Sequence, residues 1–309
     1  MLRITEEQVR AALSMPAAID AVEEAFKQLA AGTAINHPRR RVILPTGSVL
    51  HYMAAGTPKY FGLKAYSTNP KSGAYFTVLL YHTPDGIPVA EIEANYLGQI
   101  RTGAASGVAT KYLARENSSV LGVIGSGFQA ETQVEAMAAV RPIQTVRVWS
   151  RNAAKREEFA RKLAERTQLK VQAVDTARDA AAGADVVVTA TNAKEPVLEA
   201  DWIAPGTHIN AVGSNQIGKR ELPTELIYGK ADLVAVDSVE QSKMESGDLM
   251  IPLREDARLT YSAVEFTEIV AGRAASRKEE SEITVFKSNG LAVEDVAVAG
   301  YIVERGFYS

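Results

Sequence analysis

Cysteine is absent from the 309 residues of this chain. That excludes disulfides, thiolate nucleophiles and cysteine-held metals, and it fits a reducing, cytoplasmic setting. No run approaches the ~18 apolar residues of a membrane span, and Met1-Leu2-Arg3-Ile4-Thr5-Glu6-Glu7 carries no apolar signal core. Dense Lys/Arg blocks are also missing. With a net charge of −3, the chain reads as having neither a nucleic-acid nor a membrane partner. The trio Arg39-Arg40-Arg41 is too short for a basic tail. His37, His51, His82 and His208 lack metal-ligand spacing, so no metal is expected, and no Gly-x-Ser-x-Gly nucleophile motif occurs. What is present is a chain 46% hydrophobic, long enough for two domains and suited to a small-molecule ligand.

The most informative stretch is Gly125-Ser126-Gly127-Phe128-Gln129-Ala130, directly after the apolar run Val120 to Ile124. It reads as strand, tight turn and helix start. Gly125 permits a turn that a side chain would block. Gly127 lets the backbone approach a pyrophosphate, and the helix N-terminus offers free N–H groups and partial positive charge. Small Ala130 lets the helix lie close to the strand. Val134, Met137 and Ala138 continue at helical spacing, and Thr145 to Trp149 supplies a second strand, so the unit has the ~30-residue length of a dinucleotide-binding βαβ fold. The residue ending that second strand reads the adenosine ribose. Here it is Trp149-Ser150-Arg151-Asn152, without a carboxylate, and Arg151 can pair with a 2′-phosphate. NADP(H) is therefore expected in preference to NAD(H), although a solvated Arg151 in a permissive enzyme also fits.

Before this point the pattern differs. Thr5 and Gln8 form a capping-box signature. Ser14 and Pro16 open a second helix, whose apolar face is Ile19, Val22, Phe26 and Leu29 and which Gly32 ends. Short β-type runs follow at Arg41–Leu44, Val49–Met53, Phe61–Tyr66, Tyr75–His82 and Ile87–Ile92, and a helix is predicted from Ile100 to Ala114. From Val120 onward strand and helix alternate, with strands predicted at Lys170–Val174, Asp185–Ala190, Thr207–Val212, Leu233–Val236 and Ile283–Phe286. The fold class is α/β: a Rossmann-type doubly wound parallel sheet plus a smaller α+β domain for substrate and dimerisation. The polar break Arg115-Glu116-Asn117-Ser118 places the boundaries at 1–116 and 117–290, with a closing helix in 291–309 packing back on the first domain.

Ligands of a doubly wound sheet lie beyond the carboxyl ends of its strands. Asp237 ends the run Leu233 to Val236, where it can exchange a proton with a substrate nitrogen; an N-cap for the next helix fits the same position. Arg41, Lys64 and Arg101 stand in apolar or helix-opening settings. Together they would hold a carboxylate; singly, each also fits a structural ion pair.

These pieces resemble the ornithine cyclodeaminase/mu-crystallin family over nearly the whole length. The resemblance rests on Arg101-Thr102-Gly103-Ala104-Ala105, the glycine turn, Ile209-Asn210-Ala211-Val212-Gly213, Val236-Asp237-Ser238, Glu245-Ser246-Gly247-Asp248, Val285-Phe286-Lys287-Ser288, Gly290 and Glu294-Asp295. It implies cofactor contacts at Thr102, Gly125, Gly127, Gln129, Ala130, Ser150, Arg151, Asn152, Thr191, Asn192, Val212, Gly213 and Ser288. It implies a carboxylate held by Arg41 (or Arg40), Lys64 and Arg101, with Asp237, assisted by Lys64, as the acid/base group, in a homodimer. The shared step moves hydride between nicotinamide and a carbon bearing a carboxylate and a nitrogen. The favoured reaction is reduction of a cyclic ketimine such as pyrroline-2-carboxylate. Ornithine cyclodeaminase, alanine dehydrogenase and a non-catalytic mu-crystallin-like binder remain open. Cyclodeaminases carry Lys-x-x-Asn-x-His-Pro-x-Asn where this chain has Lys64-Ala65-Tyr66-Ser67-Thr68-Asn69-Pro70; it also has Gly98 for a common Thr and Met53-Ala54 for a common Met-Pro.

Overall fold

A computed structural model describes residues 1–306. Contacts divide the chain into two compact units: Met1–Ala105 with the chain from Gly290 onward, and Ser106–Asn289. The first contains β1 (Leu2–Ile4), α1 (Glu6–Ala12), α2 (Met15–Ala30), β2 (Ile35–Asn36), β3 (Arg40–Ile43), β4 (Val49–Gly56), β5 (Tyr60–Asn69), β6 (Gly73–His82), β7 (Pro88–Glu93) and the start of α3 (Asn95–Leu113). Strands β4 to β7 form an antiparallel meander; β2 and β3 pair with β4, and β1 joins β7 in parallel. The three-residue β1 has too few alternations to be read from sequence.

Thr5 and Gln8 make the capping box of α1. The α3 helix begins at Asn95 rather than Ile100, because the Glu6 carboxylate accepts the Tyr96 N–H at 3.0 Å. That cap comes from a remote part of the chain, so no local signal announces it. The contact boundary also falls inside α3, earlier than the polar break at residue 116, since the helix continues unbroken to Leu113.

The second unit contains β8 (Val120–Ile124), α4 (Phe128–Val140), β9 (Thr145–Trp149), α5 (Ala153–Thr167), β10 (Lys170–Ala173), α6 (Ala177–Ala181), β11 (Val186–Thr189), β12 (His208–Ala211), β13 (Leu233–Val236), α7 (Val239–Glu245), α8 (Gly247–Glu255), β14 (Val264–Glu265), α9 (Phe266–Val270) and β15 (Thr284–Lys287). Its sheet runs β10-β9-β8-β11-β12-β15-β13-β14, and every pair is parallel. The order reverses between β8 and β11, which opens a crevice at the carboxyl edge. All four residues of β11 and of β12 are buried, as a sheet covered on both faces requires. The predicted last strand, β15, inserts between β12 and β13, so Ser288 and Asp237 leave the sheet side by side.

In the first unit, α10 (Ala292–Glu304) packs on α2, β4 and β5. A Cβ on Gly300 would stand 2.7 Å from the Tyr60 ring, so only glycine permits this approach.

Candidate active site

The turn after β8 behaves as its glycines predict. Gly125 has φ +118°, and a Cβ there would lie 2.4 Å from the Ala190 carbonyl oxygen. Gly127 occupies the N-cap of α4, where no side chain caps the helix; a Cβ at this position would meet nothing within 4 Å. The N-terminus of α4 thus begins beside open space, at the positive end of the helix dipole. Ala130 is buried beneath the turn.

A cavity of about 910 Å³ opens at this edge, within the usual size range of small-molecule sites. Gly125, Gly127, Gln129, Ser150, Arg151, Thr191, Asn192, Val212 and Gly213 all line it. They come from the ends of four parallel strands, β8, β9, β11 and β12. Glycine turn, uncapped helix end and cavity together fit a dinucleotide. Four predicted contacts are placed differently. Ala130 supports the turn from below. The Asn152 side chain caps α5, accepting the Lys155 N–H at 3.0 Å. Thr102 donates its hydroxyl to the Gly98 carbonyl at 2.7 Å, and Ser288 donates to Asp237 at 3.1 Å. One residue the sequence did not single out is Arg156. It donates to the Ser150 carbonyl at 3.1 Å and to Asp175 at 3.0 Å, bracing the strand end beside Arg151.

Asp237 is fully buried at the same carboxyl edge. One oxygen accepts the Ser238 N–H at 2.9 Å, and the other accepts the Asn289 N–H at 2.6 Å and the Ser288 hydroxyl at 3.1 Å. The N-cap of α7 is Ser238, whose hydroxyl accepts the Gln241 N–H. The capping explanation for Asp237 therefore does not hold. Its charge is felt nearby: burial first, then Asp237, raises the pKa of Glu265.

The first unit gathers cations. Lys64 donates to Asp295 at 2.7 Å; Arg101 donates to the same oxygen at 3.1 Å and to Glu294 at 2.7 Å. All four side chains are buried. Burial pushes the Lys64 ammonium down to about 8, opposed by Asp295 and reinforced by Arg101 and Arg39. Burial works against the Arg101 charge as well, but Asp295 and Glu294 more than offset it. Two glycines make room for these head groups. A Cβ on Gly98 would stand 3.0 Å from Lys64 Nζ, and one on Gly290 would stand 2.6 Å from an Arg101 terminal nitrogen. The Gly98 departure thus has a local reason.

Within the arginine run, alternation decides. Arg41 pairs with His51 across β3 and β4, while Arg40 pairs with Tyr52 on the opposite, exposed face. Arg40 is accordingly set aside. Arg39, given no role in the sequence reading, is the most buried of the three and donates to the Gly290 carbonyl at 3.3 Å. His51 stacks flat on Tyr66 with centroids 4.2 Å apart, and Tyr66 stacks on Phe76. Lys64 Nζ lies 5.7 Å from the Phe76 ring centre. Burial, then Arg41 and Arg39, lowers His51 to about 4, so its ring is neutral at physiological pH.

A family model described as the ornithine cyclodeaminase/mu-crystallin family matches residues 2–307. The chain belongs to this family. A Bacillus cereus Delta(1)-pyrroline-2-carboxylate reductase is 42% identical over 229 residues, 74% of this chain and 70% of the relative. The structure of the Thermococcus litoralis Delta(1)-pyrroline-2-carboxylate reductase with NADH and L-proline superposes with TM-score 0.93 at 35% identity, covering 99% of this chain and 97% of that one. An archaeal alanine dehydrogenase dimer with bound NAD gives TM-score 0.91 at 36% identity, covering 98% and 95%. Family members thus place nicotinamide dinucleotides on this fold.

Proposed function

We propose that this protein is a nicotinamide-dependent oxidoreductase that reduces a small 2-imino acid to the amino acid, with a cyclic ketimine such as pyrroline-2-carboxylate as the favoured substrate. The observation that carries the proposal lies at the carboxyl edge of the second sheet. There the glycine-turn cavity and the buried Asp237 carboxylate emerge from the same set of parallel strands. A bound reduced nicotinamide supplies the hydride. Asp237, fixed by three donors, stabilises the protonated iminium, the form that accepts hydride more readily. In the first unit Arg41, Arg101 and Lys64 hold the substrate carboxylate. Lys64, lowered to about 8, is also poised to exchange a proton. Missing the histidine of the cyclodeaminase stretch, Lys64 to Pro70 favours the reductase over the lyase.

NADP(H) is the proposed cofactor, because Ser150 and Arg151 border the cavity where a ribose-binding carboxylate would exclude a 2′-phosphate. The proposed assembly is a homodimer. Val42, Leu50, Tyr52, Phe61 and Tyr75 are 39–65% exposed, and the strand register sets all five on one face of the first sheet. Such a face marks an association surface.

A spectrophotometric screen tests the activity. Pyrroline-2-carboxylate, piperideine-2-carboxylate, and pyruvate with ammonia or methylamine are offered with each reduced cofactor. NADPH oxidation with a cyclic ketimine is expected. Ammonia release from ornithine without net change at 340 nm would instead establish the lyase, and tight dinucleotide binding without any turnover would establish a binding protein.

A further inference from the structure

Glu221 is a buried carboxylate behind the cavity, and nothing in the reaction above uses it. One oxygen accepts both the Thr191 N–H and the Thr191 hydroxyl at 2.7 Å. The other accepts the Gly213 N–H at 2.7 Å and the Thr189 hydroxyl at 3.1 Å. Thr189 and Thr191 belong to the end of β11, and Gly213 follows β12. Thr191 and Gly213 both border the cavity. The fit between them is close: a Cβ on Gly213 would lie 2.2 Å from the Thr191 carbonyl oxygen and 2.4 Å from a Glu221 oxygen.

Glu221 is also anchored from its own backbone. Its N–H and that of Leu222 donate to one Asp248 oxygen at 2.6 and 2.9 Å. The other Asp248 oxygen pairs with Lys287 Nζ at 3.2 Å, and Nζ donates to the Ser214 carbonyl at 2.6 Å. From residue 212 to 222 the chain has no helix or strand, so its course depends on these side chains. The Thr191 and Gly213 N–H groups can only donate, so each carboxyl oxygen accepts from one of them, while burial raises the Glu221 pKa against the pull of Lys287.

We propose that Glu221 is a positioning residue for the dinucleotide. Its two oxygens clamp the ends of β11 and β12 at a fixed spacing, and Lys287 and Asp248 hold the clamp in place. It thereby sets the Thr191 and Gly213 groups against the ligand without touching the ligand itself. This rests on the dinucleotide reading above and adds a residue to it.

The test uses the full chain and needs no substrate. Quenching of tryptophan fluorescence, to which cavity-lining Trp149 contributes, measures Kd for NADPH and NADH. E221Q keeps the shape but turns an amide N–H₂ toward two of the donors. Its Kd is expected to rise roughly 10–100-fold, while KM for the imino acid, and kcat at saturating dinucleotide, stay within about threefold. T189V removes one donor that does not border the cavity and should raise Kd by about threefold. If E221Q fails to fold, T189V decides. An unchanged Kd in the folded variant overturns the inference, as does a fall in kcat and imino-acid affinity equal to the loss of dinucleotide affinity. A wild-type chain that binds neither dinucleotide sinks the cofactor reading and this inference together. A wild-type chain that binds while the variants bind equally well sinks the inference alone.

Discussion

Buried charge in the first unit is met by opposite charge on long side chains, whereas Asp237 and Glu221 in the second are met by backbone N–H groups and hydroxyls. Lys64 on β5 and Arg101 on α3 converge on Glu294 and Asp295 of α10. These groups are far apart in sequence, and their head groups are the contact. At the carboxyl edge of the second unit, the strand ends themselves present the donors. The first arrangement places full charges, at a desolvation cost that pairing offsets. The second places dipoles that cannot turn away. One suits recognition of a small anion, the other a ligand held in fixed register.

Four perturbations break or sharpen that contrast. Asp237→Ala should lower kcat by about 10²–10⁴-fold and leave dinucleotide Kd unchanged, because the glycine turn and strand ends survive; near-normal turnover in stopped-flow hydride transfer would remove Asp237 from the chemistry. Arg101→Met should act on the fold as well as on substrate. It takes the Arg101 charge away from buried Glu294 and leaves Asp295 to Lys64 alone, and thermal unfolding should show a loss of about 3–5 kcal/mol, with a raised KM for the imino acid. An unchanged melting temperature would mean that the salt cluster contributes little.

The pH dependence of substrate binding isolates Lys64. Its folded pKa lies near 8, so its charge is present below that value and lost as pH rises through it. KM for the anionic substrate should climb by up to about tenfold per pH unit above pH ~8, and Lys64→Met should start from a higher KM and lack the step. A flat wild-type profile would take Lys64 out of the clamp.

The smallest effect comes from His208, buried between β11 and β15 and lowered to about 3, first by burial and then by Arg277. A depressed folded value means that its contribution is complete above the unfolded pKa of 6.5 and is lost as pH falls toward 3. Chemical denaturation should show about 2 kcal/mol less stability at pH 5 than at neutral pH from this residue, and His208→Gln should flatten that part of the profile. The same acid sensitivity in the variant would exclude His208 as its source.

Local rules in the sequence carried far in the second unit. The predicted strands Val120–Ile124, Thr145–Trp149 and Leu233–Val236 occur with those bounds: the first and last are unbroken apolar runs, and the second alternates buried Val146 and Val148 with half-buried neighbours. The residues that line the cavity at the turn and strand ends were legible because glycine turns and strand ends are local features. Asn152 was not, since a helix cap and a ribose contact call for the same side chain. In the first unit the strands were legible but their charges were not. Nothing adjacent to Lys64 in sequence says that Asp295 is its partner, and the arginine run yields its inward members only once β3 is registered against β4. Gly98 reads in sequence as a departure from threonine, and only the fold sets Lys64 Nζ beside it.

The amino-acid order by itself determined where the turns, helices and parallel strands fall, and with them the dinucleotide cradle, because glycine freedom, side-chain period and helix-end N–H groups act over a few residues. Folding alone decided which charges meet, which carboxylate caps a helix and which is buried at the sheet edge, and how β15 brings Ser288 and Asn289 onto Asp237. Those choices are made by groups tens to hundreds of residues apart, and the electrostatic and packing energies that select them exist only when the chain has closed around them.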